Sequence, residues 1–211
     1  SSGATSGVIS GLTPGTAYTF KVFATNSNGN SLESSASNSV VVPVFISGVD
    51  FLVVAGGGTG GYNGNSTQTG GGGAGGFRSS VGQSGGPTTA LSSLTITKGV
   101  AYTVTVGAGS ASNATNGSDS VFNTITSLGG GYGGTVTSNW INPNSGGSGG
   151  GSRYTGGGAS GTSGQGNDGG SAGGGGQGGS GGGAGGVGQT GVAGGAASGV
   201  GLANSITGSS V

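Results

Sequence analysis

The side chains able to do acid–base chemistry in this chain are Glu33, Asp50, Asp119 and Asp168, with Lys21, Arg78, Lys98 and Arg153 as the cations; there is no His, Cys or Met. General acid–base catalysis needs titratable groups held within hydrogen-bond reach of one another, and these carboxylates are scattered, with no imidazole to act as base or metal ligand. No catalytic residue, cofactor or metal ion is expected. Gly56-Gly57-Gly58-Thr59-Gly60-Gly61 follows an apolar run as a phosphate-binding loop does, but no amphipathic helix follows and no acidic residue lies about twenty positions on. Asn116-Gly117-Ser118-Asp119-Ser120 is oxygen-rich, yet one carboxylate makes a poor hard-cation site and a plain Asx turn is the simpler reading. Asn65, Asn113 and Asn116 fit the glycan-acceptor pattern, as chance alone provides in a chain rich in Asn, Ser and Thr.

What remains is recognition. Tyr62 beside Asn63 and Asn65, Tyr132, Trp140 within Ser138-Asn139-Trp140-Ile141-Asn142-Pro143-Asn144, and Arg153-Tyr154 stand among Gly and polar residues. Aromatic rings flanked by amides suit stacking on sugar rings and recognition in general. Tyr62, Trp140, Arg153 and Tyr154 are therefore the candidate receptor contacts; the alternative is that each covers a small apolar cluster under a loop.

The elements that must position these residues are unusual in composition. Gly supplies 61 of 211 residues and the formal net charge is zero. Collagen also is Gly-rich, but needs a strict Gly-X-Y period with abundant Pro, and here there are 4 Pro. Apolar residues make up 29 %, with the large ones concentrated before Ile141, too few for an ordinary core. A neutral chain without a core is left to satisfy its backbone against other backbone. The cations are far apart, which leaves no electrostatic footprint for nucleic acid, and no run approaches the ~18 apolar residues of a membrane span. Absence of Cys is compatible with an extracellular setting. Because the chain opens at Ser1 inside what reads as a domain, it is expected to be a fragment or processed product.

Residues 1–44 read as short strands at 8–10, 17–25 and 38–44, separated by turns at Thr13-Pro14-Gly15 and Asn28-Gly29-Asn30. Alternation places Tyr18, Phe20 and Val22 on one half-buried face. The stretch from Gly11-Leu12-Thr13-Pro14-Gly15 through Tyr18-Thr19-Phe20-Lys21-Val22 to Val40-Val41-Val42-Pro43 resembles the C-terminal half of a fibronectin type III domain. That resemblance makes Tyr18 a tyrosine corner, largely buried, its hydroxyl bonded to upstream backbone. Leu12, Tyr18 and Val22 are its structural markers. A complete sandwich has about seven strands, so preceding sequence or a neighbouring subunit is expected to complete this one.

Residues 45–145 read as a glycine-rich β unit: an apolar strand at 49–55, a hairpin of 94–97 with 101–106 across Lys98-Gly99, and a strand over 120–128. Val49-Asp50-Phe51-Leu52-Val53-Val54-Ala55-Gly56-Gly57-Gly58 and the later Gly runs resemble the glycine-rich domains of bacteriophage tail-fibre proteins and of secreted bacterial surface proteins.

From 146 to 211 Gly dominates. It occupies Gly170, Gly173, Gly176, Gly179, Gly182, Gly185, Gly188, Gly191 and Gly194 in an unbroken period of three. A polyproline-II-like helix has three residues per turn and no internal hydrogen bonds, so a Gly face lets neighbouring helices approach until their backbone groups pair. The expectation is a polyglycine-II-like bundle, with Gly182→Val more damaging than the out-of-phase Gly181→Val. A flexible Gly/Ser linker and a collagen-like trimer are the alternatives. The fold class expected is thus all-β: a partial fibronectin type III-like sandwich, then the glycine-rich β unit and the polyglycine-II-like bundle.

The function expected is a non-enzymatic structural or adhesive fibre component, a phage tail-fibre or adhesin segment that meets a host surface. Its partners would be other copies or neighbouring fibre subunits and a cell-surface glycan or protein receptor, with no nucleic acid and no membrane insertion. By the resemblance to polyglycine adhesins of phage fibre tips, loops between Gly segments would make the contact. The alternatives are a secreted bacterial surface or matrix filament and an ice-binding polyglycine protein; irregular residues between the glycines argue against the last.

Overall fold

Residues 6–62, 69–86, 88–135 and 141–209 are described by the computed structural model. Its strands run β1 (Ala17–Tyr18), β2 (Thr25–Asn26), β3 (Gly29–Asn30), β4 (Val40–Val41), β5 (Phe45–Val49), β6 (Leu52–Val54), β7 (Phe77–Ser79), β8 (Gln83–Ser84), β9 (Thr88–Thr89), β10 (Leu94–Thr97), β11 (Val104–Thr105), β12 (Ser120–Phe122) and β13 (Ile125–Ser127). The helical content among the described residues is a 3-10 turn at Gly174–Gly176, so the chain is all-β with small sheets. Among the described residues no helix is long and apolar enough to cross a membrane. Two compact units form: Ser1–Val49 with Thr95–Val100, and Asp50–Leu94 with Ala101–Val211. These divisions differ from the ones expected after residues 44 and 145.

In the first unit β1 pairs antiparallel with β4 and β2 with β3, and β5 lies beside β10 in a two-stranded sheet. The turn before β1 is built by Pro14 and Gly15: Thr16 N–H donates to Thr13 O at 3.2 Å and Gly15 takes φ +79°, the type II arrangement in which Pro presets the first central residue and Gly supplies the positive φ of the second. Tyr18 Oη accepts the Thr13 N–H at 3.1 Å, and that bond holds the phenol pKa below its ordinary value. The rings of Tyr18 and Phe20 stack with centroids 6.5 Å apart. Three expectations need correction. Tyr18 is half-buried, not largely buried, and Val22 is 71 % exposed, because two-stranded sheets in this unit supply no opposing layer to the face. Residues 8–10 form no strand, and Val8 and Ile9 are exposed. The expected strand over 17–25 is regular only at its two ends; between them Phe20, Val22 and Ala24 bond to serines of the 31–37 segment instead of to a strand.

The second unit has a small apolar centre of Phe51, Val53, Ala55, Phe77 and Ala184. β6 pairs antiparallel with β7, which sets Val54 opposite Phe77, and β11, β12 and β13 form a meander. Small hydroxyls fill what large apolar groups would fill elsewhere: buried Ser127 donates Oγ–H to Val53 O at 2.7 Å. The expected 94–106 hairpin does not form. Lys98 N–H donates to Val44 O at 2.8 Å, so β10 is drawn to β5 while β11 pairs with β12.

Most of this unit is held by backbone bonds that recur every third residue. Gly70, Gly73 and Gly76 donate to Gly134, Gly131 and Leu128 at 2.9, 2.8 and 2.7 Å, an antiparallel register. Gly131 and Gly134 donate to Ser148 and Gly151, both at 2.9 Å, a parallel one. Gly179 and Gly182 donate to Ser152 and Gly149, while Gly149 and Ser152 donate to Asn167 and Gly170. A β-strand alternates its groups between two sides and serves two neighbours. The 70–77 segment instead bonds to the segments around 58–61, 128–134, 148–151 and 179–182. This network crosses the boundary expected at residue 145, which is why 50–94 and 101–211 form one unit.

The close approach is what makes glycine obligatory. A Cβ at Gly182 would fall inside the Asn167 carbonyl, but one at Gly181 would fall inside the Gly72 carbonyl. The expected difference between these two positions is therefore corrected: the 179–183 segment meets neighbours on several sides, and phase does not free Gly181. Of the glycines in phase, Gly170, Gly173, Gly179, Gly185, Gly188 and Gly191 face carbonyls of neighbouring segments. Gly176 and Gly194 instead sit at φ +86° and +92° in reversals of the chain.

Candidate functional site

The register of the bonded segments fixes where the chain turns back. Segment 56–61 runs outward and 70–77 returns beside it, joined by Gly61 N–H to Gly70 O at 2.8 Å. Segment 129–134 runs parallel to 56–61, since Gly130 and Gly133 donate to Gly56 and Thr59. Segments 146–152, 166–173 and 186–191 run outward too, through bonds such as Gly134 to Gly151, Ser152 to Gly170, and Gly191 to Ser171. The outward ends of these segments, at Gly61, Gly134, Ser152, Gly173 and Gly191, consequently all lie at one end of the unit.

Three candidate residues are found there. Tyr62 is 54 % exposed and its N–H donates to Thr135 Oγ1 at 3.3 Å. Thr135 and Ile141 exchange both backbone bonds, at 2.9 and 3.1 Å. Arg153 is 8 % exposed, with Nε donating to Ile141 O at 2.9 Å and Nη2 to Asn142 Oδ1 at 3.1 Å. Its guanidinium therefore ties the chain beyond Ile141 to the 153–157 reversal. Tyr154 is 40 % exposed, at φ +36°. Trp140 lies outside the described residues. So the structure brings Tyr62, Arg153 and Tyr154 together through the Thr135–Ile141 pair, with Arg153 as a buried clamp and the two tyrosines exposed.

Asn142 and Ser152 were not singled out from sequence. Ser152 is buried and its Oγ–H reaches Arg153 O and Thr155 O at 3.2 and 3.3 Å, which fixes the reversal that carries Tyr154. A Ser in a Gly/Ser tract carries no signal of this. For Asn142, adjacency to the aromatic cluster was the available hint. Asn142, Pro143, Ser152, Thr155 and residues 156–159 line a cleft of about 240 Å³.

The oxygen-rich stretch is committed to structure. Asn116 Oδ1 accepts from Tyr132 N–H and Asn144 Nδ2 at 3.1 and 3.2 Å, its Nδ2 donates to Ser145 O, and Asp119 Oδ1 accepts Gly129 N–H at 2.8 Å. Among the described residues no group of His, Cys, Asp or Glu side chains has the makings of a metal site.

A family whose description is a glycine-rich domain matches residues 32–211. No curated protein and no solved structure matches the chain.

Proposed function

We propose that this chain, which belongs to the glycine-rich domain family, is a non-enzymatic structural and adhesive element that works outside the cell: a phage tail-fibre or adhesin segment that presents loops to a host surface. The glycine-rich unit is its shaft end, built as a polyglycine-II-like bundle; residues 1–44 are a partial fibronectin type III-like sheet that joins other copies or neighbouring fibre subunits. Support for the bundle comes from bonds that repeat every third residue with several neighbours at once, the spacing of a three-residue helix. Gln177, at φ −68° and ψ 130°, has the backbone of such a helix.

The single observation that carries the adhesive reading is the gathering of the segment ends Gly61, Gly134, Ser152, Gly173 and Gly191 at one end. Loops on a rigid scaffold are where recognition is found, and an end face of loops engages a surface with the shaft pointing away. Ordering so much glycine costs about 1–2 kcal/mol per residue, which the dense backbone bonding offsets; a unit bonded in this way suits a stiff support.

The test is binding of fluorescently labelled chain to a panel of bacterial strains, with the Tyr62→Ala, Tyr154→Ala double variant as comparison. Retention on at least one strain, reduced to background by the double substitution in a protein with unchanged circular dichroism, is the expected result. Retention on none, or retention indifferent to both tyrosines, removes the adhesive reading.

A further inference from the structure

We infer that the cleft between Asn142 and the 153–157 reversal binds one neutral sugar residue of a surface glycan, a proposal that rests on the loop end being the adhesive face. The cleft is small, about 240 Å³, below the ~300–1,000 Å³ of pockets that take drug-sized ligands. That is room for a single ring.

Its chemistry selects the ligand. No carboxylate or ammonium lines it, and Arg153, next to Ser152 in the chain, is buried with Nε and Nη2 committed to Ile141 O and Asn142 Oδ1. An anion would have to compete for donors already in use, and a cation finds no counter-charge. Apolar wall comes from Pro143 and Ala159 alone, too little to hold an apolar side chain. A neutral ring rich in hydroxyls suits what is left. A guanidinium has donors and no acceptor, so Asn142 must turn Oδ1 towards Arg153, and its Nδ2 donors point the other way. Thr155 adds a hydroxyl that both donates and accepts. At Gly157 a Cβ would meet nothing within 4 Å, so a ligand can come down onto the backbone there.

The cleft is also set before a ligand arrives. Ser152 Oγ–H bridges Arg153 O and Thr155 O from a buried position, and ordering completed in advance leaves less to lose on binding. Ser152 and Arg153 are positioning residues; Asn142 and Thr155 touch the sugar.

Saturation-transfer NMR on the full chain tests this with glucose, galactose, mannose and N-acetylglucosamine at millimolar concentration, and with glucuronate as the charged control. Transfer to at least one neutral sugar and none to glucuronate is expected. Asn142→Ala should weaken that sugar about tenfold, the equivalent of one hydrogen bond of ~1.4 kcal/mol. Gly157→Val, at an open exposed position, should abolish it by filling the cleft while leaving circular dichroism unchanged. No transfer to any neutral sugar, transfer to glucuronate as well, or transfer that survives Gly157→Val overturns the proposal. Failure here is separable from failure of the adhesive reading: strain binding lost in the tyrosine double variant but not competed by sugar leaves the adhesive face standing and removes the glycan.

Discussion

Val22 donates its N–H to Ser34 Oγ at 3.1 Å and accepts the Ser34 N–H on its own carbonyl at 2.8 Å, so one serine supplies both halves of a ladder rung. The same exchange joins Ala24 to Ser31 and Phe20 to Ser37. The strand side advances by two residues per rung and the serine side by three. Two strand residues span roughly 6.6 Å, which three residues cover only if the serine segment is kinked, and the hydroxyl replaces the carbonyl that the kink turns away. An edge that would otherwise invite pairing with another chain is thereby closed.

The serine ladder predicts the outcome of Ser31→Ala, Ser34→Ala and Ser37→Ala combined. Each change removes one acceptor at an exposed rung, worth at most about 0.5–1.5 kcal/mol. Amide exchange at Phe20, Val22 and Ala24 should accelerate together, with the glycine-rich unit unaffected. Unchanged exchange at those amides would show that the hydroxyls carry no weight.

Tyr18 gives the first unit a pH dependence. The Thr13 N–H donated to its oxygen lowers the folded phenol pKa below the unfolded value near 10. A group depressed in the fold contributes stability above the unfolded pKa, and that contribution disappears as pH falls through the folded pKa. Melting of the first unit should therefore rise modestly as pH is taken through the alkaline range towards 10, and Tyr18→Phe should flatten the response and lower the melting temperature. Phenolate absorbance during the titration reports the pKa directly; a Tyr18 transition at or above the free value would refute the argument.

Gly181→Val and Gly182→Val should both prevent folding of the glycine-rich unit, with losses beyond the ~1–3 kcal/mol of ordinary overpacking, because each Cβ would enter a neighbour's carbonyl. Gly201→Ala should be tolerated, since nothing lies within 4 Å of its Cβ position. Urea unfolding of the purified variants checks all three. A folded Gly181→Val protein would restore a simple one-face rule.

These positions also mark what a sequence can and cannot say here. The all-β character was legible because β-branched and aromatic runs such as 51–54 and 120–126 are bounded by turn residues, and the Thr13-Pro14-Gly15 turn was legible because Pro and Gly each answer one dihedral demand. The partners of a Gly run were not legible. With no side chain, 56–61, 70–77 and 128–134 carry nothing to say which segment they bond to, and their union with 146–192 depends on backbone groups that every residue has. Arg153 could be picked out as a lone cation beside a Tyr, but its burial follows from Ile141 O and Asn142 Oδ1 lying where sequence distance gives no hint.

Ser148 should be better as alanine. Its Oγ is buried without a hydrogen-bond partner among the described residues, and an unsatisfied buried hydroxyl costs about 1–3 kcal/mol. Ser148→Ala is expected to raise stability by around 1 kcal/mol, against a loss for Ser127→Ala, which gives up the bond to Val53 O. A destabilised Ser148→Ala protein in thermal unfolding would mean that the hydroxyl is satisfied in solution.

Arg153→Lys tests whether the loop end is held by geometry or by charge. The guanidinium fork reaches Ile141 O through Nε and Asn142 Oδ1 through Nη2 at once, and a lysine ammonium on an unbranched stem cannot reproduce that planar pair of donors while buried. Losing charge-assisted bonds of this kind costs about 1.5–3 kcal/mol. The loss should be local: exchange at the Ile141 and Thr135 amides, which sit in the clamped pair, should speed up, while Gly73 and Gly131, deep in the bonded segments, keep their protection. If Arg153→Lys exchanges like the parent at Ile141, the conserved positive charge is enough and the fork has no part in holding the loop end together.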